Sequence, residues 1–401
     1  MLKKIISFIF SFLLLLNIVK AEELNVISDK YILYNMNDNE ILLEHNSDVR
    51  TSIASLTKIM TVLVAIENND DYSKQITITK QMISGIARDV STYGFKEGQV
   101  VTIDDLLYAS LLRSAADAVN SLAYVTSGSI DAFIDLMNQK ASELGLENTH
   151  FTNAIGLYHA DNYSTAADTA KILIYALQNE KFKEVFTASE HQLTTGGTVR
   201  RTVNYYNNKL GIDMSYLTGA KTGHIKAAGY CLASTATLND VDYLLVTLNA
   251  YNDSTAHLKD ANSIYTYYRD NYGYHELVNE NDIVTTVKTK FAKEKSVDVK
   301  AGISYKKYMK NDFDKSKVTF VYDGPKEVMY DIIDNKKLSN VKVLYDGEEV
   351  YNFDLMFNKT LTFDLLSYLL YYKYYTIAGI STIVVLIVVI IILFIRKKRK
   401  K

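Results

Sequence analysis

The sequence predicts a mixed α/β domain followed by a small all-β domain and one C-terminal helix long enough to cross a bilayer. Three observations predict it. Apolar-rich segments of helical period fill 52–66, 103–126 and 130–144 and give way to strand patterns at 192–204 and 217–250. After about residue 280 the long helical period is lost and short alternating runs replace it. Finally, Ile377 to Ile395 is an almost unbroken run of Ile, Val and Leu. A chain of 401 residues can bury a core of the size these domains need.

The elements follow in chain order. Met1-Leu2-Lys3-Lys4, the apolar run Ile5 to Val19 and the small residue Ala21 have the layout of a secretory signal over 1–21, cleaved after Ala21. An uncleaved anchor helix is the alternative, and the short apolar run weighs against it. The catalytic-size domain is expected over 22–280. It opens with a hairpin over 30–45, Tyr31-Ile32-Leu33-Tyr34 and Ile41-Leu42-Leu43 flanking Asn37-Asp38-Asn39. The helix over 130–144 stops at Gly145, and another starts at Ser164-Thr165, where Thr165 and Asp168 have capping-box spacing. Leu244-Leu245-Val246-Thr247-Leu248 reads as a central strand. The β-rich domain is expected over 283–352, with Asp323-Gly324 and Asp346-Gly347 each following a strand pattern as hairpin signals. A transmembrane helix is expected over 376–395. Tyr371, Tyr372, Tyr374 and Tyr375 stand at one interface, and the basic tail 396–401 falls in the cytoplasm by the positive-inside rule. The remainder is then extracellular on a single-pass membrane protein.

Charge excludes one class of partner. The net charge of −2 hides basic ends, Lys3, Lys4 and Lys20 and then Arg396 to Lys401, around an acidic middle. Nucleic acid needs clustered Lys and Arg, so it is not expected as a partner. The single cysteine, Cys231, cannot form an internal disulfide and sits in a buried-strand pattern, which gives it a structural role. No H-E-x-x-H and no close Cys/His spacing occurs, so neither metal nor cofactor is expected.

The chemistry concentrates in three motifs. In Ser55-Leu56-Thr57-Lys58, positions i and i+3 share a helix face, so the Lys58 amine can reach the Ser55 hydroxyl. A serine hydroxyl is a poor nucleophile without an adjacent base, and a lysine serves if its pKa is lowered. S-x-x-K alone is weak: Ser304/Lys307 and Ser339/Lys342 repeat it in the β-rich part, where no helix would join the pair. The second motif is Lys221-Thr222-Gly223, heading an apolar strand. A strand edge carrying ammonium and hydroxyl groups can pair with a peptide and hold its terminal carboxylate, while glycine leaves room for the substrate backbone. Between them, Leu112-Arg113-Ser114-Ala115-Ala116-Asp117 offers Ser114 as a proton relay.

S-x-x-K, a serine motif and K-T-G in this order are the signature of penicillin-recognising serine enzymes. The chain resembles the DacA-type low-molecular-mass penicillin-binding proteins that act as D-alanyl-D-alanine carboxypeptidases. The resemblance spans roughly 25–275 and is carried by Ala54 to Thr61, by Gly156-Leu157 through Ser164 to Asp168, and by Gly219 to Tyr230. It implies the penicillin-binding/β-lactamase-like serine transpeptidase fold, an antiparallel sheet flanked by helices. It also implies removal of the terminal D-alanine from peptidoglycan stem peptides ending in D-Ala-D-Ala, through an acyl-enzyme on Ser55, with β-lactams as inhibitors. Lys58 would be the general base and Ser114 the relay. Lys221 and Thr222 would hold the carboxylate beside Gly223, and the backbone N–H groups of Ser55 and His224 would form the oxyanion hole.

One departure stands out. The family's middle motif is S-x-N, and here Ala116 occupies the asparagine position. Loss of that amide commonly costs about a hundredfold in rate. Asn120, one turn on, is the nearest side chain that could replace it, and Asn162 stands where the family often has histidine. Two other readings share the fold: a weakened relative that binds stem peptides or β-lactams without turnover, and a β-lactamase.

Overall fold

The computed structural model describes residues 24–398, apart from 206–210, 252 and 333. The signal expected over 1–21 and the last tail residues, 399–401, lie outside the described residues. The chain divides into two compact units, the first ending at Asp270 and the second starting at Asn271.

The first unit begins with β1 (Lys30–Asn35) and β2 (Glu40–His45), the hairpin expected from the sequence. A single 3₁₀ turn, Ala54–Leu56, runs into α1 (Thr57–Glu67). The ribbon of β3 (Gln75–Thr77) and β4 (Val100–Thr102) encloses the short α2 (Lys80–Ile83). Then come α3 (Ile103–Leu112), α4 (Ala116–Ser127), α5 (Ile130–Glu143), α6 (Ala166–Ala176) and α7 (Glu180–Thr187). A second ribbon, β5 (Glu190–Gln192) with β6 (Thr198–Arg200), precedes the long strands β7 (Leu217–Ile225), β8 (Gly229–Leu238) and β9 (Val241–Ala250), and α8 (Ala256–Asn271) closes the unit.

The sheet runs β2-β1-β9-β8-β7, with every neighbouring pair antiparallel. The strand at its centre is β9, which carries Leu244 to Leu248. The motif strand β7 lies at one edge, and that position leaves a row of its backbone groups unpaired by the sheet. Helix α1 is apolar on nearly every side and buried from Thr57 to Ile66, as a helix enclosed by others must be. It packs against α3 through α7. Each of Ile59, Val62, Leu63 and Ile66, at no more than 2% exposure, contributes about 1.5–3 kcal/mol by leaving water. On the sheet, Tyr265 of α8 shares hydrogen bonds with Ser234 of β8, and Tyr268 donates to the Leu42 carbonyl of β2.

Two helices differ from the sequence reading. The pattern over 52–66 is continuous, yet the α-helix starts only at Thr57, because Ala54 sits at φ +46°, in the left-handed region. The pattern over 103–126 breaks at Arg113–Ala115, where Ser114 adopts φ +63°. The broken turn is held by Ala115 N donating to Ala109 O (3.1 Å) and by Ala116 N donating to Ser91 O (2.8 Å).

In the second unit β10 (Tyr272–Val278) pairs with β13 (Tyr305–Lys310), and β11 (Ile283–Lys290) lies between β12 (Ser296–Lys300) and β15 (Glu327–Met329). A third sheet is β14 (Val318–Val321), β16 (Lys336–Tyr345) and β17 (Glu348–Phe357). Alternation buries Val297 and Val299, Val341 and Val343, and Phe353, Leu355 and Phe357 in one core. Asp346-Gly347 is the expected hairpin turn, joining Tyr345 to Glu348. Asp323-Gly324 is not a hairpin. The strand before it pairs with β16, and the next strand, β15, joins a different sheet in parallel. Pro325 follows directly, and the Tyr322 hydroxyl folds back to donate to its carbonyl at 2.9 Å. The unit ends with α9 (Leu365–Tyr371) and α10 (Lys373–Lys398), the latter long and apolar enough to cross a membrane.

Candidate active site

Ser55 stands in the 3₁₀ turn, one residue after the strained Ala54 and three before Lys58 in the first turn of α1. Two glycines crowd the turn. A Cβ on Gly156, which has φ +85°, would collide with the Ala54 carbonyl, and one on Gly223 would lie 3.0 Å from the Ser55 nitrogen. Glycine at these two places lets a loop and the β7 edge touch the backbone of the nucleophile.

Lys58 is 1% exposed. Its Nζ donates to Ser55 Oγ at 2.9 Å and to the Ile155 carbonyl at 2.6 Å. Burial holds the Lys58 amine well below its ordinary pKa, and the positive charge of Lys221 adds to the effect. A neutral amine in hydrogen-bond reach of a hydroxyl is a general base in position. Lys221 is equally buried, and burial alone lowers it to about 7. It alternates with Gly219 and Gly223 on one face of β7, and its Nζ donates to the Thr222 carbonyl at 2.7 Å. Thr222 is half-buried and His224 exposed, with the His224 ring stacked on Tyr230 at 4.0 Å between centroids.

Ser55, Lys58, Lys221 and Gly223 are thus brought together. Ser114 is placed differently. It lies at the junction of α3 and α4, both of which pack on α1, yet its hydroxyl makes no hydrogen bond to Ser55, Lys58 or any other described residue. Ala116 is fully buried at the start of α4, and the Asn120 side chain bonds no described residue, so it does not replace the missing amide.

Several residues that hold the site were not singled out by the sequence for that role. Asp117 accepts from the backbone N–H groups of Tyr93, Gly94 and Phe95, pinning that loop beside the Ser114 turn. Asp168 does not complete a capping box. Thr165 accepts from the Asp168 N–H, but the Asp168 carboxylate turns to Asn148 N and Thr149 Oγ1. Thr51 and Ser164 exchange backbone hydrogen bonds at 2.8 and 3.0 Å, tying this network to the chain entering Ser55. Asn162 is 2% exposed and braces the loop that bears Ile155, accepting from Thr152 N and donating to Leu157 O. The Ile155 carbonyl has no side-chain signature; only the glycine after it marks the place.

A half-buried serine bonded to a buried lysine at the edge of an antiparallel sheet defines a serine acyl-transfer enzyme. The D-alanyl-D-alanine carboxypeptidase family profile matches residues 17–252. DacF of Bacillus subtilis is 30% identical over 273 residues, 67% of this chain and 69% of that protein. DacA of Escherichia coli is 34% identical over 224 residues, 52% of this chain and about half, 53%, of that protein. The Streptomyces K15 DD-transpeptidase superposes with a TM-score of 0.55 at 29% identity, covering 61% of this chain and 97% of its own. Penicillin-binding protein 5 from Haemophilus influenzae superposes at 0.62 over 84% of this chain and 98% of its own; at 21% identity that likeness concerns the fold alone. The chain belongs to the D-alanyl-D-alanine carboxypeptidase family and is a serine hydrolase. Relatives named for catalysis do not favour the reading of a binding protein without turnover.

Proposed function

We propose that this protein is a serine carboxypeptidase that removes the terminal D-alanine from peptidoglycan stem pentapeptides and is acylated by β-lactams at the same serine. The observation that carries the proposal is the 2.9 Å contact between Ser55 Oγ and the Lys58 amine, whose pKa burial holds well below its ordinary value. Lys58 takes the hydroxyl proton as Ser55 attacks the penultimate D-alanine carbonyl, and the backbone N–H groups of Ser55 and His224 receive the oxyanion. D-alanine leaves with a proton passed through Ser114, and water then hydrolyses the ester on Ser55. Lys221 and Thr222 hold the terminal carboxylate while Gly223 admits the peptide backbone against the open edge of β7. With Ala116 in place of the asparagine, the enzyme works without one amide contact. In the cell, a signal over 1–21 exports the catalytic domain 22–280, and the β-rich domain 283–352 follows it outside. A span over 376–395 leaves the tail 396–401 in the cytoplasm.

The test is release of D-alanine from a peptide ending in D-Ala-D-Ala by the full chain in detergent, beside Ser55→Ala, with labelled penicillin run on both. Release and labelling that vanish together in Ser55→Ala are the expected result. Turnover that persists in the variant, or none from either protein, overturns the proposal.

A further inference from the structure

A cavity of about 750 Å³ lies between the end of α3 and β6 with the segment after it, lined by Arg113, Thr198, Arg200, Arg201, Thr202 and Asn204 among others. No acidic residue among the described residues lines it. Arg201 is 9% exposed, and every acceptor it meets is neutral: Thr218 O at 3.1 Å, Leu217 O at 3.3 Å and Asn204 Oδ1 at 3.4 Å. Burial lowers its pKa and no carboxylate opposes that. A cation taken out of water without a counter-charge is costly, and a bound anion offsets the cost. Arg113 is exposed, and its guanidinium makes no hydrogen bond or ion pair with any described residue; only its backbone carbonyl is engaged, accepting from Ser91 Oγ at 3.2 Å. Only Arg200 is neutralised, by Glu190 at 2.9 Å. Two guanidinium groups therefore face the cavity without an acid, with hydroxyl and amide groups around them.

The location matters as much as the charge. Arg113 directly precedes Ser114, and Thr202 Oγ1 donates to the Leu112 carbonyl at 3.0 Å. The carbonyls that Arg201 grips belong to the first residues of β7, and Lys221 lies three residues beyond Thr218, about 10 Å along the strand. Arg113 thus joins the cavity to the turn that bears Ser114, and Arg201 joins it to the strand that bears Lys221.

We infer that this cavity is an oxyanion-binding subsite beside the catalytic residues, taking a carboxylate or phosphate group carried by the wall polymer. Guanidinium pairs match both groups in geometry and charge. The inference rests on the function proposed above only in assigning the anion to the wall.

The experiment uses the full-length Ser55→Ala protein in detergent, so that binding is read without turnover. Calorimetry compares two peptides ending in D-Ala-D-Ala that differ by Glu or Gln at one upstream position, and separately inorganic phosphate. The acidic peptide is expected to bind about tenfold tighter than the amide at low salt, the size of one charge-assisted contact. Arg113→Gln, which breaks no bond in the fold, and Arg201→Lys should erase that advantage and leave the amide peptide unchanged. Arg113-dependent binding of the acidic peptide identifies a carboxylate ligand, and Arg113-dependent binding of phosphate alone identifies a phosphate-bearing polymer. If neither ligand depends on Arg113, the subsite is overturned. Release of D-alanine from the Gln peptide by the enzyme with Ser55 intact, measured alongside, tests the proposed reaction separately, because the phosphate arm does not need it.

Discussion

The two sides of the site are built to different standards. On one side Ser55 is clamped: two glycines touch its turn, Lys58 is bonded to its hydroxyl and to a carbonyl, and a polar network around Asp168 ties down the incoming chain. On the other side Ser114 has a strained backbone, an unbonded hydroxyl and an alanine where the family carries an amide. In the proposed reaction the clamped side performs the proton transfer in every acylation, and a geometry fixed before substrate arrives suits that role. The Ser114 side has no such anchor for its hydroxyl, and it is the side next to the arginine cavity.

That contrast can be broken in four ways. The largest effect is expected from Lys58→Ala, which should lower both D-alanine release and penicillin acylation about a thousandfold. A rate within tenfold of the parent would mean that another base serves Ser55. Next, Gly156→Ala places a Cβ into the Ala54 carbonyl at positive φ and should destabilise the catalytic unit by about 2–4 kcal/mol, read as a lower denaturation midpoint. An unchanged midpoint would show that the clamp yields cheaply. Third, Ala116→Asn restores an amide on the loose side and should raise kcat/KM about tenfold; no gain would place the deficit elsewhere.

The smallest effect is in pH. The proposed reaction needs Lys58 neutral and Lys221 charged; burial lowers the first well below its ordinary value and puts the second near 7. Because kcat/KM reports the free enzyme, it should fall roughly fivefold between pH 7 and 8, as Lys221 loses its proton, while kcat falls later because bound carboxylate favours the cation. A flat kcat/KM profile there would show Lys221 charged well above 7. The same group has a sign for stability. Its folded pKa, about 7, lies below the ordinary 10.5, so the unfolded chain binds more protons and stability from this lysine rises with pH between those values.

Much of this was legible in the sequence, for identifiable reasons. Ser55 and Lys58 could be paired because helical spacing brings i and i+3 together, and Leu244 to Leu248 could be centred because apolar β-branched runs mark interior strands. The break at Ser114 was not legible. Apolar residues on both sides keep helical period through it, and Ser-Ala-Ala opposes a helix nowhere; the turn is held by a tertiary bond to the Ser91 carbonyl and a local one back to the Ala109 carbonyl. Asp323-Gly324 misled because its hairpin signal is local, whereas β14 finds its partner in β16. The base's second partner, the Ile155 carbonyl, is backbone, which composition cannot mark.

The lone cysteine has a practical consequence. Cys231 is fully buried on β8 and its thiol is pushed up to about 12, so it remains protonated and out of contact with reagents in solution. The chain also contains no tryptophan. It therefore offers no reactive thiol and no indole: one cysteine or tryptophan engineered near Arg113 would be the sole thiol label or the sole indole signal, able to report substrate binding beside Ser114 in real time.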